Sequence, residues 1–166
     1  MAPHKGPEVT GHLACRASII PAMDLSVARL LLATDLSRAS AAAANEAIRL
    51  AVEHRAELIV MNVIDPRRLR LPSGRFVRRI DQERARVEAA TQQLVSRAMA
   101  AGARATFLVW EGDPAESIVA ASEAENADAI VLGSHGRGLL GRLVLGSTSA
   151  RVAEDARCRV LVFPGE

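Results

Sequence analysis

The sequence predicts an α/β fold, in which helices cover both faces of one five-stranded parallel sheet. Short apolar runs alternate along the chain with segments of helical periodicity, and each apolar run is continuous instead of alternating with polar residues. Strands of this kind are buried on both faces, as in parallel sheets enclosed between helices. The 166 residues, of which 49% are hydrophobic and 24% charged, are enough for one domain with a substantial core.

The first predicted unit consists of two strands and the helix between them. The strands are the apolar runs 27–35 and 56–65, which both end in an acidic residue. Ser37 is suited to cap the helix, whose apolar stripe runs from Ala44 to Val52. A helix between two such strands indicates a crossover connection, which makes the strands parallel.

The middle of the chain continues this alternation. A long helix, about 78–101, ends before Gly102, which has the place of a C′ glycine. A strand over 103–112 follows. The next helix, over 113–127, opens with an aspartate at the N-cap, a proline at the first helical position and a glutamate at the third.

The last predicted elements are a strand over 128–133, a glycine-rich loop, a helix over 147–156 and a strand over 158–164. Right-handed crossovers favour the strand order 3-2-1-4-5, which is half of a Rossmann-like dinucleotide-binding fold. The topological switch point, at which the strand order reverses, then lies between the first and fourth strands. Ligands bind at such a point, at the carboxyl ends of the strands. Asp35 and Gly133 are therefore predicted to meet at a ligand site.

The glycine-rich loop, LGSHGRGLLGRLVLGST from residue 132, departs from two common phosphate-binding motifs. Gly136, Gly138 and Gly141 form G-x-G-x-x-G. The dinucleotide-binding motif also requires a helix directly after the glycines and an acidic residue at the end of the next strand. Here no helix follows at once, and the only acidic residue near the end of the next strand is the terminal Glu166. The stretch 141–148 forms G-x-x-x-x-G followed by Ser-Thr, without the lysine of a P-loop. Both interpretations are rejected.

A third pattern in the same loop, G-x-x-G-x9-G-S starting at Gly133, resembles the universal stress protein family. The pattern lies between ADAIVLGSHG and SARVAEDARCRVLVF, and ATDLS and VMNVID at the first two strand ends add to the resemblance. The resemblance covers roughly 27–164 and implies a domain over 27–166 with the adenine nucleotide α-hydrolase-like form of the fold. It departs from the family at Cys158, which an arginine follows where the family often has proline.

The physical chemistry of the loop favours anion binding independently of the resemblance. Glycines let the backbone approach an anion closely, and successive N–H groups form an anion-binding nest. The N-terminus of the last helix adds unpaired N–H groups and the positive end of the helix dipole. Arg137 and Arg142 bring positive charge to the loop.

The resemblance implies an ATP site, with AMP as the alternative nucleotide and Mg²⁺ as the metal. Asp35 would lie near the ribose and the phosphates and is the candidate Mg²⁺ ligand, although the same carboxylate could serve as a helix cap. Val63 would line the adenine pocket. The full set of expected nucleotide contacts is Thr34, Asp35, Leu36, Val63, Leu132, Gly133, Gly136, Arg137, Gly146, Ser147 and Thr148.

Charge and cysteine usage favour a soluble cytoplasmic protein without nucleic-acid or membrane partners. The net charge is only +2, and the six arginines of 67–79 come with a single aromatic residue, so this segment is interpreted as a solvated connector that could raise the potential near an anion site. Cys15 and Cys158 have neither disulfide nor zinc spacing. Residues 1–26 are expected to form a flexible N-terminal extension.

The resemblance implies a stress-response or signalling protein that binds ATP without being an enzyme. The sequence has no paired carboxylates and no catalytic triad. A slow ATPase or nucleotidyl transferase, and an interaction module that binds no nucleotide, are the alternatives. The last strand, 159–163, would be an apolar sheet edge in a monomer and mediates dimer contact in the family, so an antiparallel homodimer is expected.

Overall fold

In the computed structural model, residues 27–68, 76–134 and 145–165 are described, with the backbone alone for 76–79. The extension predicted for 1–26 lies outside these ranges. Short 3₁₀ turns occur at Arg38–Ser40 and Pro66–Arg68. The strands and helices are β1 (Arg29–Ala33), α1 (Ala41–His54), β2 (Glu57–Ile64), α2 (Phe76–Ala100), β3 (Arg104–Glu111), α3 (Pro114–Ala124), β4 (Ala129–Gly133), α4 (Ser147–Asp155) and β5 (Arg159–Phe163).

The five strands form one sheet in the order β3-β2-β1-β4-β5, and every neighbouring pair is parallel. The predicted fold class and strand order are therefore confirmed. In the centre of the sheet, Leu32 aligns with Val60 on one side and with Val131 on the other. All the carboxyl ends lie along one edge because each connection crosses back over the sheet.

The sheet is buried on both faces, and successive strand residues contribute to different cores. Leu32 and Val60 pack in the core beneath α1 and α2, whereas Leu31 and Met61 pack in the core beneath α3 and α4. Side chains of consecutive strand residues point to opposite faces. This arrangement explains why the strands are continuously apolar.

Helix α1 packs closely on the sheet through small side chains. Ala43, Ala47 and Ala51 are all at most 1% exposed. The predicted stripe was wrong at Val52, which is 40% exposed because it lies at the edge of the buried face. The prediction that Ser37 caps α1 was also wrong. The Ser37 side chain accepts a hydrogen bond from the Ser40 N–H and so caps the 3₁₀ turn that precedes α1.

The predicted signals at two other helix ends are confirmed. Gly102 follows α2 with φ +97°, a conformation that glycine adopts without strain, and its N–H bonds the Met99 carbonyl at 2.9 Å. Asp113 caps α3 by accepting hydrogen bonds from the backbone N–H groups of Ala115 and Glu116. Within the described ranges, no helix has the length and apolar character needed to cross a membrane.

Candidate functional site

A cleft of about 540 Å³ opens at the carboxyl edge of the sheet. Strand β1 ends at Ala33, opposite Met61 of β2, whereas β2 continues for three residues that pair with β3 alone. The cleft lies above this short central strand, between the overhanging end of β2 and the first turn of α4. Side chains from α2 and α3 close its other sides, among them Val87 and Ile118.

The structure brings most of the residues predicted from the sequence together around this cleft. Of the others, Leu36 does not line the cleft; it follows Asp35 with φ +59°, and its N–H donates to the Thr34 hydroxyl at 3.0 Å. Gly136 and Arg137 lie outside the described residues. The predicted residues that line the cleft are Thr34, Asp35, Val63, Leu132, Gly133, Gly146, Ser147 and Thr148.

Backbone and side-chain hydrogen bonds hold the two ends of the glycine-rich loop together. The Gly146 N–H donates to the Ser134 carbonyl at 2.7 Å, and the Ser134 N–H donates to the Phe163 carbonyl of β5 at 2.8 Å. The Ser149 hydroxyl donates to the Gly133 carbonyl at 2.8 Å. These contacts hold the loop ends beside β4, and the role of Ser149 was not predicted from the sequence.

The start of α4 lies at the cleft, which Gly146, Ser147 and Thr148 line. Gly146 is the N-cap in an extended conformation (φ −62°, ψ 155°), and no side chain caps this helix end. The N–H groups of the first turn have no partner within a helix, and the helix dipole places a partial positive charge beside them. Since Ser147 and Thr148 line the cleft at this point, their N–H and hydroxyl groups are available to an anion.

At the end of β1, polar side chains organise the turn into α1. The Asp35 carboxylate accepts a hydrogen bond from the Ser37 N–H at 3.0 Å, and the hydroxyls of Thr34 and Ser40 lie 2.9 Å apart. Asp35 thus stabilises the turn while it lines the cleft. The structural and the ligand-binding interpretations of this residue are compatible.

Several polar residues of the cleft were not predicted from the sequence. Asn62 is only 5% exposed, and its amide donates to the Thr34 carbonyl at 2.8 Å. On α2, Arg86 binds the Glu83 carboxylate through its Nε at 2.9 Å, and this hydrogen bond raises the pKa of the Arg86 guanidinium. Asn62 lies within VMNVID, but the motif did not indicate that its side chain reaches a ligand site, and Arg86 comes near it only because β2 and α2 meet in the folded chain. The overlooked polar residues that line the cleft are Ser40, Asn62, Asp65, Arg68, Glu83, Arg86 and Ser149.

A cluster of charged side chains on the rim joins the segment after β2 to α3 and α4. Arg67 contacts Asp65 at 2.9 Å and Asp113 at 2.7 Å, and Arg151 contacts Asp113 at 3.1 Å and Glu116 at 3.3 Å. Arg151 lies one turn after Ser147 on α4. The cluster therefore joins the rim near the overhang of β2 to the helix that carries the candidate anion site.

The ionisation of the rim cluster follows from its hydrogen bonds. The Arg67 guanidinium hydrogen-bonds Asp113, and together with the Glu116 N–H and Arg151 it lowers the pKa of that carboxyl to about 2. The side-chain hydrogen bond from Arg67 also lowers the pKa of Asp65. Both carboxylates are consequently charged at neutral pH, and the arginines between them remain protonated.

A metal ion would need ligands beyond the protein side chains. Among the described residues, no group of three or more His, Cys, Asp or Glu side chains could hold a metal. A Mg²⁺ bound here would take its remaining oxygen ligands from phosphates and water, as Mg²⁺ commonly does. The assignment of Asp35 as a Mg²⁺ ligand stays a prediction.

Comparison with known proteins places the chain in a family. The model of the universal stress protein family matches residues 27–164. The universal stress protein in the QAH/OAS sulfhydrylase 3′ region of Thermus aquaticus is 35% identical over 133 residues, which cover 80% of this chain and 96% of that protein. The chain belongs to the universal stress protein family.

Solved structures share the fold. The universal stress protein UspA from Lactobacillus plantarum has a TM-score of 0.74 and 28% identity, covering 81% of this chain and 96% of that chain. A universal stress protein in complex with cAMP has a TM-score of 0.63 and 24% identity, over 84% of this chain and 98% of that chain. One from Archaeoglobus fulgidus in complex with dAMP has a TM-score of 0.62 and 20% identity, over 81% and 95%. The last two likenesses establish the fold alone.

Replacing Asp113 by Asn is expected to destabilise the protein at neutral pH, and most of this difference is expected to disappear near pH 2. Asparagine retains the capping oxygen, so the variant removes the charge and keeps the cap. The folded-state pKa of about 2 is below the ordinary value of 3.8, so the stabilisation is present above about pH 4 and is lost as the pH falls through 2. Thermal unfolding of both proteins between pH 2 and pH 7 measures this difference.

The control for this experiment is Glu116→Gln in the same cluster. The Glu116 side chain is 74% exposed, so its ion pair with Arg151 contributes little. We expect its melting temperature to stay close to that of the wild type throughout. A difference between Asp113→Asn and the wild type that stays constant down to pH 2 would contradict the assigned cause.

Proposed function

We propose that this protein binds ATP in the cleft and acts as a nucleotide-binding stress-response or signalling protein. The observation that carries the proposal is the juxtaposition of the uncapped start of α4 with the joined ends of the glycine-rich loop. The first turn of α4 offers its N–H groups beside Gly133 and Gly146, which line the cleft where the phosphates would lie. AMP is the alternative ligand, and Mg²⁺ held by the phosphates and Asp35 is the proposed metal.

The other half of the cleft suits a planar base. Near the overhang of β2 the apolar lining residues are Met61 and Val63 from the strand, Val87 from α2 and Ile118 from α3, and polar side chains of β2 and α2 lie beside them. Helices α2 and α3 cover opposite faces of the sheet, so their side chains approach a bound base from two sides. Pockets for nucleotides combine such apolar walls with a few polar groups that fix orientation.

Membership of the universal stress protein family supports an adenine nucleotide as the ligand. Two proteins that share this fold hold cAMP and dAMP, which have adenine in common. For the present chain, the complete G-x-x-G-x9-G-S pattern starting at Gly133 favours a ligand with several phosphates. We therefore propose ATP over a monophosphate.

We propose a cytoplasmic location for this function. Cys158 is a free thiol among the described residues, and burial raises its pKa. A protonated, half-buried thiol is a poor nucleophile and suits a structural role in a reducing compartment.

Replacing Gly146 by Glu is expected to weaken ATP binding at least tenfold. The backbone at Gly146 (φ −62°) is accessible to any residue, and its N–H can still bond Ser134, so the helix start should form in the variant. The added carboxylate then lies where the phosphates should bind and repels them. Isothermal titration with ATP and with AMP measures the loss.

The matched control is Gly146→Ser, which adds a small neutral side chain at the same position and is expected to bind ATP within a few fold of the wild type. A thermal melt of each variant reports folding. Equal ATP affinity in the wild type and Gly146→Glu would remove the loop from the site. If the wild-type protein binds neither nucleotide, the result would favour the alternative function, an interaction module that binds no nucleotide.

We propose that the protein binds ATP without turning it over. The cleft offers backbone amides and arginines for binding, and its carboxylates at Asp65 and Glu83 are bound to arginines. In single-turnover measurements with labelled ATP, we expect hydrolysis no faster than with Mg²⁺ in water. A faster rate that Gly146→Glu abolishes would establish the slow-ATPase alternative.

We also propose a homodimer formed through β5. Strand β5 is an edge of the sheet, and four of its residues, Val160–Phe163, are half-buried. Pairing two such strands antiparallel would satisfy both edges. Light scattering at micromolar concentration is expected to give twice the chain mass of 17.7 kDa, and a monomer alone would contradict the proposal.

A further inference from the structure

Helix α4 carries the candidate phosphate site but buries little surface of its own. It spans nine residues, of which only Ser149 and Val152 are buried. Most helices are held in a domain by the apolar face that they bury. The direction of α4, and with it the direction in which its first N–H groups point, therefore depends strongly on polar contacts.

Polar contacts hold the beginning of α4 from two sides. Towards β4, the hydrogen bonds that join the ends of the glycine-rich loop fix the place where the helix starts. Towards α3, Arg151 donates to the Asp113 carboxylate at 3.1 Å and to the Glu116 carboxylate at 3.3 Å. Because Arg151 lies one turn into the helix, this second attachment fixes the direction in which the helix runs.

Asp113 is itself held in place independently of α4. Its side chain is 16% exposed and accepts two backbone hydrogen bonds as the N-cap of α3. Arg67 donates to its second oxygen at 2.7 Å. The residue before it, Gly112, donates its N–H to the Ile64 carbonyl of β2 at 3.0 Å. Asp113 is therefore a fixed point on the sheet to which Arg151 attaches α4.

From these observations we infer that the ion pair between Arg151 and Asp113 positions the start of α4 for phosphate binding. The inference rests on the proposed nucleotide site. Both are positioning residues, since neither lines the cleft. Without the pair, α4 would be attached at β4 alone, and its first N–H groups would have to be ordered when the ligand binds. Donors that are already ordered bind more tightly, because less conformational freedom is lost on binding.

A direct electrostatic role for the same residues makes the opposite prediction. In that role, Arg67 and Arg151 attract the phosphates, and Asp113 weakens the attraction because its carboxylate binds both guanidinium groups. Removing the charge of Asp113 would then tighten ATP binding, since a negative charge near an anionic ligand is unfavourable. In the positioning role, the same change detaches α4 and weakens ATP binding. The sign of the effect distinguishes the two roles.

The test is a double-mutant cycle on ATP affinity with Asp113→Asn and Arg151→Gln, measured by isothermal titration at neutral pH. Asparagine keeps an oxygen that can cap α3, and glutamine removes the guanidinium but stays polar. Each single variant is expected to bind ATP about fivefold more weakly, the upper range for one partly exposed ion pair. The double variant is expected to lie within about twofold of the single variants, because both changes break the same contact.

Glu111→Gln is the matched control. Glu111 lies at the end of β3, two residues before Asp113, and its ion pair with Arg84 joins β3 to α2. The control also exchanges a carboxylate for an amide beside the cleft, but the broken pair does not involve α4. We expect ATP affinity within about twofold of the wild type. A thermal melt of each protein sets a titration temperature at which all of them are folded, so a loss of stability alone leaves the affinity unchanged.

Arg67→Gln keeps the test decisive even if Asp113→Asn does not fold. The Arg67 side chain is 67% exposed and shares Asp113 with Arg151, but it belongs to the segment after β2. Its removal takes away a positive charge and leaves α4 attached. The positioning role predicts ATP affinity within about twofold of the wild type for Arg67→Gln, whereas the electrostatic role predicts a loss similar to that of Arg151→Gln.

Adenosine is a ligand without phosphates and serves as the reference. Because the proposed phosphate site lies at the start of α4, adenosine is expected to bind the wild type and both single variants within about twofold. Equal losses for adenosine and ATP would show that the variants disturb the whole cleft, and the positioning role would then be wrong.

The outcomes separate this inference from the proposed function. Tighter ATP binding by Asp113→Asn, unchanged binding by Arg151→Gln, or additive losses in the double variant would each overturn the positioning role and leave nucleotide binding intact. Equal losses in Arg67→Gln and Arg151→Gln would do the same. A wild-type protein that does not bind ATP would overturn the proposed function itself.

Discussion

Strand β1 is paired on both edges and buried on both faces, and the position of the site depends on it. Its start is held by Asp128, whose carboxylate accepts hydrogen bonds from the N–H groups of Ala28 and Arg29 at 2.7 and 2.9 Å. Because Asp128 directly precedes β4, this contact aligns the beginnings of the two strands. Both strands have five residues, and because Ala33 lies opposite Leu132 they end within one residue of each other, so that Asp35 and Gly133 come to line the same cleft.

The cleft results from a difference in strand length. Strands β2 and β3 have eight residues each, and the last three of β2 extend past the end of β1. Hydrogen bonds connect the polar groups where β1 ends and β2 continues. The Asn62 amide on the overhang donates to the Thr34 carbonyl, and the Thr34 hydroxyl contacts the Ser40 hydroxyl. The same hydrogen bonds that stabilise the short strand end thus orient the side chains that face a ligand.

The charged residues on the rim of the cleft are linked to one another by ion pairs between separate elements. Arg67 and Arg151 share Asp113, and the three residues lie on the segment after β2, on α4 and at the start of α3. Such an exposed network contributes modestly to stability, but it holds the start of α4 relative to the overhang of β2. In the arginine-rich segment that follows β2, Arg67 therefore forms a defined ion pair with Asp113.

Local patterns in the amino-acid sequence were enough to predict the order of the elements, the parallel sheet and the glycine-rich loop. Periodicity and end signals such as Asp113 and Gly102 are local, and a continuously apolar strand is compatible with few arrangements. The set of polar residues that share the cleft depends on tertiary packing and could not be predicted in the same way. Asn62, within VMNVID, and Arg86 are separated along the chain, and their approach depends on the lengths of β1 and β2 and on the packing of α2. Short-range patterns record which residues form an element, whereas the relative lengths and packing of the elements determine which of their side chains face a ligand.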